Sequence, residues 1–192
     1  MNNYQDIKIQ PDKEFNLPTL RNNVCQKLHK AIWDLKTKNI GVSFPKLDNK
    51  LGDTIRIHSS QSDLEKLQNL NWLGGLSGYC KVSDILTVPD KVKGYQVISR
   101  IRQTMNEVKL SQRISHQTQN NILKTDADIQ AYKNQYRAKM MATSLGSPYL
   151  ELNSSKGGLY RIYLYFGEIQ NSPIAGEFNN FGLSKTATVP FF

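Results

Sequence analysis

The mixed polar and apolar run from Asn3 to Ile9 reads as a short opening strand, which Gln10-Pro11-Asp12 breaks. From about Pro18 to about Lys36 a clear period sets in. Leu20, Val24, Leu28, Ile32 and Leu35 recur at helical spacing and predict an amphipathic helix. Ile40–Phe44 reads as a strand ended by Pro45, and Thr54–His58 as another with Ile55 and Ile57 facing one way. Ser62-Asp-Leu-Glu65 has the form of a capping box, in which the Ser hydroxyl and Glu carboxylate satisfy free backbone N–H groups. It predicts a helix with Leu64, Leu67 and Leu70 on one side. Gly74-Gly75 stops that region, and a strand over Ile85–Val88 precedes Pro89. The order β-α-β-β-α-β is that of a ferredoxin-like domain, two helices over one face of an antiparallel sheet.

After Pro89 the character changes. Tyr95–Gln103 alternates as a strand would, with Ile98, Arg100 and Arg102 on one face. Asn106 to about Leu123 is polar and helical, and Asp128 to about Met141 is a second helix with Ile129, Tyr132, Tyr136 and Met140 as its stripe. Tyr149–Leu152 and Leu159–Phe166 read as strands joined by Asn153-Ser-Ser-Lys-Gly-Gly158, and the stretch from Phe181 to Phe192 has no clear period. A soft boundary near residue 90 divides a ferredoxin-like domain, 1–90, from a second α+β region, 91–192. The expected class is α+β.

Charge sharpens this division. The formal net charge is +9, and residues 91–140 hold ten Lys and Arg against three acidic residues, while the rest of the chain is nearly balanced. A local basic stretch is the footprint expected for a phosphate backbone, although a solvated helix face has the same composition. No apolar run is long enough for a transmembrane helix, so no membrane partner is expected. Two cysteines, Cys25 and Cys80, make neither a metal spacing nor a disulfide framework, which fits a reduced, cytoplasmic setting.

Several chemistries drop out. The chain has no Walker loop, dinucleotide fingerprint or RNP1 pattern, and His29, His58 and His116 lack metal-ligand spacing. No cofactor and no metal are expected. His29 lies one position past Leu28, on the helix flank in register with Cys25 and Trp33. It is either a packed structural histidine or a general base, since an unperturbed imidazole titrates near neutrality. RNA brings its own nucleophile, the 2′-hydroxyl, so a base that deprotonates it in line with the adjacent phosphate needs no metal. The 153–158 loop is either a plain hairpin loop or one that sets a serine hydroxyl beside the sugar, its glycines letting backbone approach the phosphate. Arg100 and Arg102 are either solvent-facing charge or guanidinium forks for guanine edges in a hairpin stem.

Seven tags in order carry a resemblance. They are Tyr4-Gln-Asp-Ile-Lys-Ile9, Lys27-Leu-His-Lys30, Asn39-Ile-Gly-Val-Ser-Phe-Pro45, Leu51-Gly-Asp-Thr-Ile-Arg-Ile-His58, Val97-Ile-Ser-Arg100, Phe181-Gly-Leu-Ser-Lys185 and Val189-Pro-Phe-Phe192. Over almost its whole length the chain resembles the type I-F CRISPR repeat-processing endoribonucleases, the Cas6-like enzymes that cut precursor CRISPR RNA. The resemblance implies metal-independent cutting at the base of a repeat hairpin, giving a 2′,3′-cyclic phosphate and a 5′-hydroxyl. It also implies that the protein stays on the 3′ hairpin, as a monomer on RNA, as a subunit of a surveillance complex.

By the same resemblance His29 is the base on the 2′-OH, and either Ser154 or Ser155, with a slight preference for Ser154, is the loop serine. Tyr160 stacks on the last base pair and Arg100 reads a base. Arg102 and Gln103 lie beside it, and Lys109, Arg113 and His116 belong to the groove-binding helix. Two departures stand out. Phe181 replaces the family's active-site tyrosine, leaving a packing role near His29. The stretch Asn106–Leu123 is poor in arginine, so fewer phosphates are neutralised and the salt dependence is shallower. Phe181 and a serine loop one residue shorter than the family's usual pattern keep open a second reading, a hairpin-binding structural subunit with weak or no activity. A general single-strand binder of RRM type is disfavoured because stacking aromatics do not fall at RNP positions.

Overall fold

The computed structural model describes residues 1–192 except Asn49, Gln103, Leu145, Ser155 and Lys156, and without the side chains of Thr143 and Ser144. It forms two compact units, residues 1–100 with 148–192, and residues 101–147. Residue 90, where the sequence suggested a boundary, falls inside the first unit.

The first unit begins with β1 (Asn3–Ile9), α1 (Leu17–Leu35), β2 (Gly41–Ser43), β3 (Thr54–Ser59) and α2 (Gln61–Asn69). A 3₁₀ turn over Gly74–Tyr79 leads into β4 (Cys80–Val82) and β5 (Leu86–Thr87). The strand order β2-β3-β1-β4, antiparallel at each pairing, is that of a ferredoxin-like sheet. The α+β class and its ferredoxin-like part therefore stand as read from the sequence.

Three local details differ from expectation. The fourth strand comes in two pieces because Ser83 interrupts it. Its Oγ accepts from Asp6 N, its N–H donates to Asp6 O, and the buried Gln5 amide donates to its carbonyl. Only β4 and β5 on either side pair with β1. The N-cap of α2 is Ser60, whose side chain accepts from Asp63 N at 3.2 Å, so Ser62 lies inside the helix and the proposed box is two residues late. Leu70 sits at the helix end and is exposed, unlike the buried Leu64 and Leu67.

α1 follows its stripe closely. Asn16 caps it by accepting from Thr19 N, Pro18 occupies the first turn, and Lys36 closes it in the left-handed conformation. Leu20, Val24, Leu28 and Ile32 are buried against the sheet in one continuous core.

A second antiparallel sheet belongs to the same unit, with strands β6 (Gly94–Ile101), β7 (Tyr149–Asn153), β8 (Leu159–Gln170) and β9 (Thr188–Phe191) in the order β7-β8-β6-β9. β9 is the strand that the aperiodic end of the sequence did not announce. It is pinned through Arg56, which pairs with Asp6 at 2.7 and 2.9 Å, and whose guanidinium lies over the rings of both Tyr4 (4.5 Å) and Phe192 (4.1 Å). β6 ends at Ile101, so Arg102 lies beyond the strand and does not share the strand face of Ile98 and Arg100.

The second unit is a helical pair, α3 (Glu107–Gln119) and α4 (Asp126–Ser144). Leu110, Leu123 and Tyr136 are its buried apolar residues among those described. Tyr132, Ile129 and Met140, expected in the same stripe, are only half-buried. Arg137 forks onto Glu107 at 3.0 and 2.9 Å and joins the two helices.

Candidate active site

Burying Leu28 turns the next residue, His29, one helical step around α1, onto the flank where core meets solvent. His29 is half-buried and lines an open cleft of about 530 Å³. The ring is held from two directions by one turn. The Asn180 carbonyl lies 3.0 Å from Nδ1, and Phe181 stacks on the imidazole with centroids 3.8 Å apart and planes 5° from parallel.

That turn is itself over-determined. The Asn179 side chain accepts from Phe181 N at 2.8 Å and Leu183 N at 3.3 Å, and Asn179 and Leu183 also pair through backbone. Gly182 takes φ +68°, and a Cβ there would stand 2.4 Å from Val42 Cγ2. The Val42 N–H donates to Gly182 O, and Ser184 N–H donates to Ile98 O, so the turn is tied to β2 and β6 at once.

A carbonyl only accepts. In the neutral ring Nδ1 therefore carries the proton, and Nε2 is the atom with a free lone pair. The arrangement fixes tautomer and ring plane together, which is what a base needs. Cys25, one turn before His29, takes no part as a nucleophile. Its thiol is buried, and that burial pushes its pKa up to about 12.

Across the cleft, the end of β7 is fastened to α1 by Gln26. Its amide donates to Asn153 O and accepts from Asn153 N, both at 3.1 Å. The next residue, Ser154, is half-buried, and its backbone bonds to Gly158 and Gly157 close the loop. Gly157 and Gly158 hold φ +82° and +93°. Asn153, the residue before Ser154, thus lines the cleft of His29. Ser155, the other serine, lies outside the described residues, as does Gln103.

The remaining candidates fall in two places. Arg100 is exposed near the end of β6. Tyr160 sits opposite Leu152 on β8, half-buried and packed against the core. In the second unit, Arg102 is exposed, and Lys109, Arg113 and His116 are exposed at intervals of four and three on one face of α3. The Lys109 ammonium donates to Thr104 O at 3.0 Å, and the Arg113 guanidinium lies 5.6 Å from the Tyr136 ring centroid. This unit carries seven Lys and Arg against three acidic residues. Among the described residues no group of three or more His, Cys, Asp or Glu converges to hold a metal ion, and no helix is long and apolar enough to cross a membrane.

The sequence did not single out Gln26, Asn179 or Asn180. Gln26 had one usable signal, its place one turn before His29 on the same flank. The asparagines had only the turn-forming run Asn179-Asn-Phe-Gly182.

The fold and cleft define an α+β protein with a ferredoxin-like sheet, whose first helix presents a tautomer-fixed histidine to an open cleft, and with a separate basic helical unit. The family model described as CRISPR-associated protein (Cas_Csy4) matches residues 4–192, and the chain belongs to that family. It is 32% identical over 193 residues, with all of both chains covered, to a protein of Escherichia coli (strain UTI89 / UPEC) named CRISPR-associated endonuclease Cas6/Csy4. A protein of the same name from Pseudomonas aeruginosa (strain UCBPP-PA14) is 32% identical over 197 residues, again with both chains fully covered. The resemblance drawn from the seven sequence tags is to this family.

Proposed function

We propose that this protein is an endoribonuclease that cuts precursor CRISPR RNA at the base of the repeat hairpin and remains on the product. The observation that carries the reading is the His29 ring, with Nδ1 committed to a carbonyl and Nε2 the basic atom at an open cleft. Membership of a family whose relatives are named endonucleases supports it.

In this mechanism Nε2 of His29 takes the proton of the 2′-hydroxyl beside the cut. The 2′-oxygen bonds to the adjacent phosphorus as the P–O5′ bond breaks. The products are a 2′,3′-cyclic phosphate and a 5′-hydroxyl, the leaving oxygen taking up a proton. No metal enters, because the substrate supplies the nucleophile and the protein supplies base and alignment. The Ser154 hydroxyl, or that of Ser155, holds the ribose in line. Phe181 brings no phenol, so its contribution is to keep the imidazole plane. Tyr160 stacks on the last base pair, Arg100 and Arg102 with Gln103 read the stem, and Lys109, Arg113 and His116 hold its phosphates. The product complex joins the other subunits of a type I-F surveillance complex as one protein on one RNA.

The test is to incubate the full chain in EDTA with the CRISPR repeat RNA of its own array and map the ends. One cut with a cyclic phosphate is expected. A single 2′-deoxynucleotide upstream of the cut abolishes it without weakening binding. Cleavage of the deoxy substrate overturns the mechanism. Tight binding with no cleavage of the all-ribose RNA makes the protein a structural hairpin-binding subunit instead.

A further inference from the structure

Trp33 is left at the surface with 64% of its area exposed, although it lies on the helix that forms the core of the fold. Its backbone closes the helix end by accepting from Lys36 N, which asks nothing of the indole. The ring instead lines the same cleft as His29, together with Lys27 and Lys30, both exposed. Helical side chains lean toward the N-terminus, so the indole leans over the turn that carries His29 and Lys30. Four residues of helix separate Trp33 from His29, a rise of about 6 Å. A nucleotide next to the one being cut reaches that far.

An exposed aromatic ring flanked by cations, continuous with a site for a phosphodiester, has the chemistry of a single-strand platform. The ring stacks any base, and ammonium groups neutralise the backbone without reading sequence. Double-stranded RNA keeps its bases stacked on one another and offers no face to such a ring. We infer that Trp33, with Lys30 and Lys27, forms a subsite for the unpaired nucleotide flanking the scissile phosphate, the base stacked on the indole and its phosphate beside the lysines. The subsite rests on the endoribonuclease reading and deepens it. The stem is then one half of the recognised RNA and the unpaired flank is the other.

The full chain is titrated with two 2′-deoxy-blocked repeat hairpins, one ending at the cut and one continuing four unpaired nucleotides beyond it. Wild type is expected to bind the flanked RNA about tenfold more tightly than the blunt one. Trp33→Phe keeps most of that gain, Trp33→Ala loses it, and both variants bind the blunt hairpin as wild type does. Indole fluorescence is quenched by the flanked RNA in wild type and not in Trp33→Ala, where Trp72 is the remaining tryptophan. The same flank gain in Trp33→Ala as in wild type overturns the subsite alone, as does an absence of any gain in wild type that binds the hairpin well. Failure of wild type to bind either RNA overturns the endoribonuclease reading and the subsite with it.

Discussion

His29 is gripped at its edge by the Asn180 carbonyl and on its face by Phe181. Lys109, Arg113 and His116 stand on one exposed face of α3, each with only a light contact inside its own unit, to Thr104, Tyr136 and Asn120 respectively. On the proposed function, the difference follows from what each region has to do. Proton transfer tolerates little error in position, and the proposed base sits on a helix packed into the main core and against a turn tied to β2 and β6. Holding a phosphate backbone, the role proposed for α3, needs charge near the surface and tolerates side-chain motion, so a small helical pair with few buried residues would be sufficient. Changes in the first region should therefore alter rate or stability, and changes in the second should alter affinity and its salt dependence.

The largest effect is expected from His29→Ala. Cleavage at saturating RNA should fall by about 10²- to 10⁴-fold while hairpin affinity is kept. Single-turnover rates beside a binding titration check both halves, and equal loss in both would merge the two regions into one function. Gly182→Val comes next. Its φ of +68° and its 2.4 Å approach to Val42 leave no room for a side chain, at a cost on the order of 2–5 kcal/mol. Thermal unfolding should shift down, and at temperatures where the variant is still folded cutting should suffer more than binding.

Acid should separate the regions by stability. Burial, with Arg56 nearby, lowers the His58 pKa to about 3, well under the ordinary ~6.5. Between those values the unfolded chain binds a proton that the folded chain refuses, so stability is full above about pH 6.5 and falls as the pH drops toward 3. Equilibrium unfolding against pH should show this slope, and His58→Gln should flatten it. Hydrogen exchange should show β2 and β3, where His58 meets Ser43 at 2.8 Å, loosening with acid.

Gln26→Ala removes two hydrogen bonds to Asn153, worth about 1 kcal/mol each. Cleavage should slow about tenfold with RNA affinity unchanged, which a rate plateau at high protein concentration will reveal. The smallest change belongs to Lys109→Ala. It should weaken binding evenly across RNA sequences and lower the slope of log K against log salt by about 1, leaving the saturated rate alone.

By itself the sequence determined the parts whose code is local. The stripe of Leu20, Val24, Leu28 and Ile32 specifies α1 because a helix must bury one face, and that stripe already puts His29 on the flank. Short runs bounded by turn residues, alternating in β3, specify β1, β3 and the ferredoxin-like order, and the family tags do the same for kinship. The two-piece fourth strand was not legible, because a Ser83 bond to Asp6 across 77 residues decides it. Nor was β9, whose strand is made by pairing with β6 and not by its own period. Only the tertiary structure decided that the Asn180 carbonyl, 151 residues from His29, fixes its tautomer, and that Gln26 holds a strand end 127 residues away. Local periodicity records which face of an element is buried. It holds no record of which distant backbone atom will meet a side chain once those faces close, since that meeting is set by the packing of whole elements.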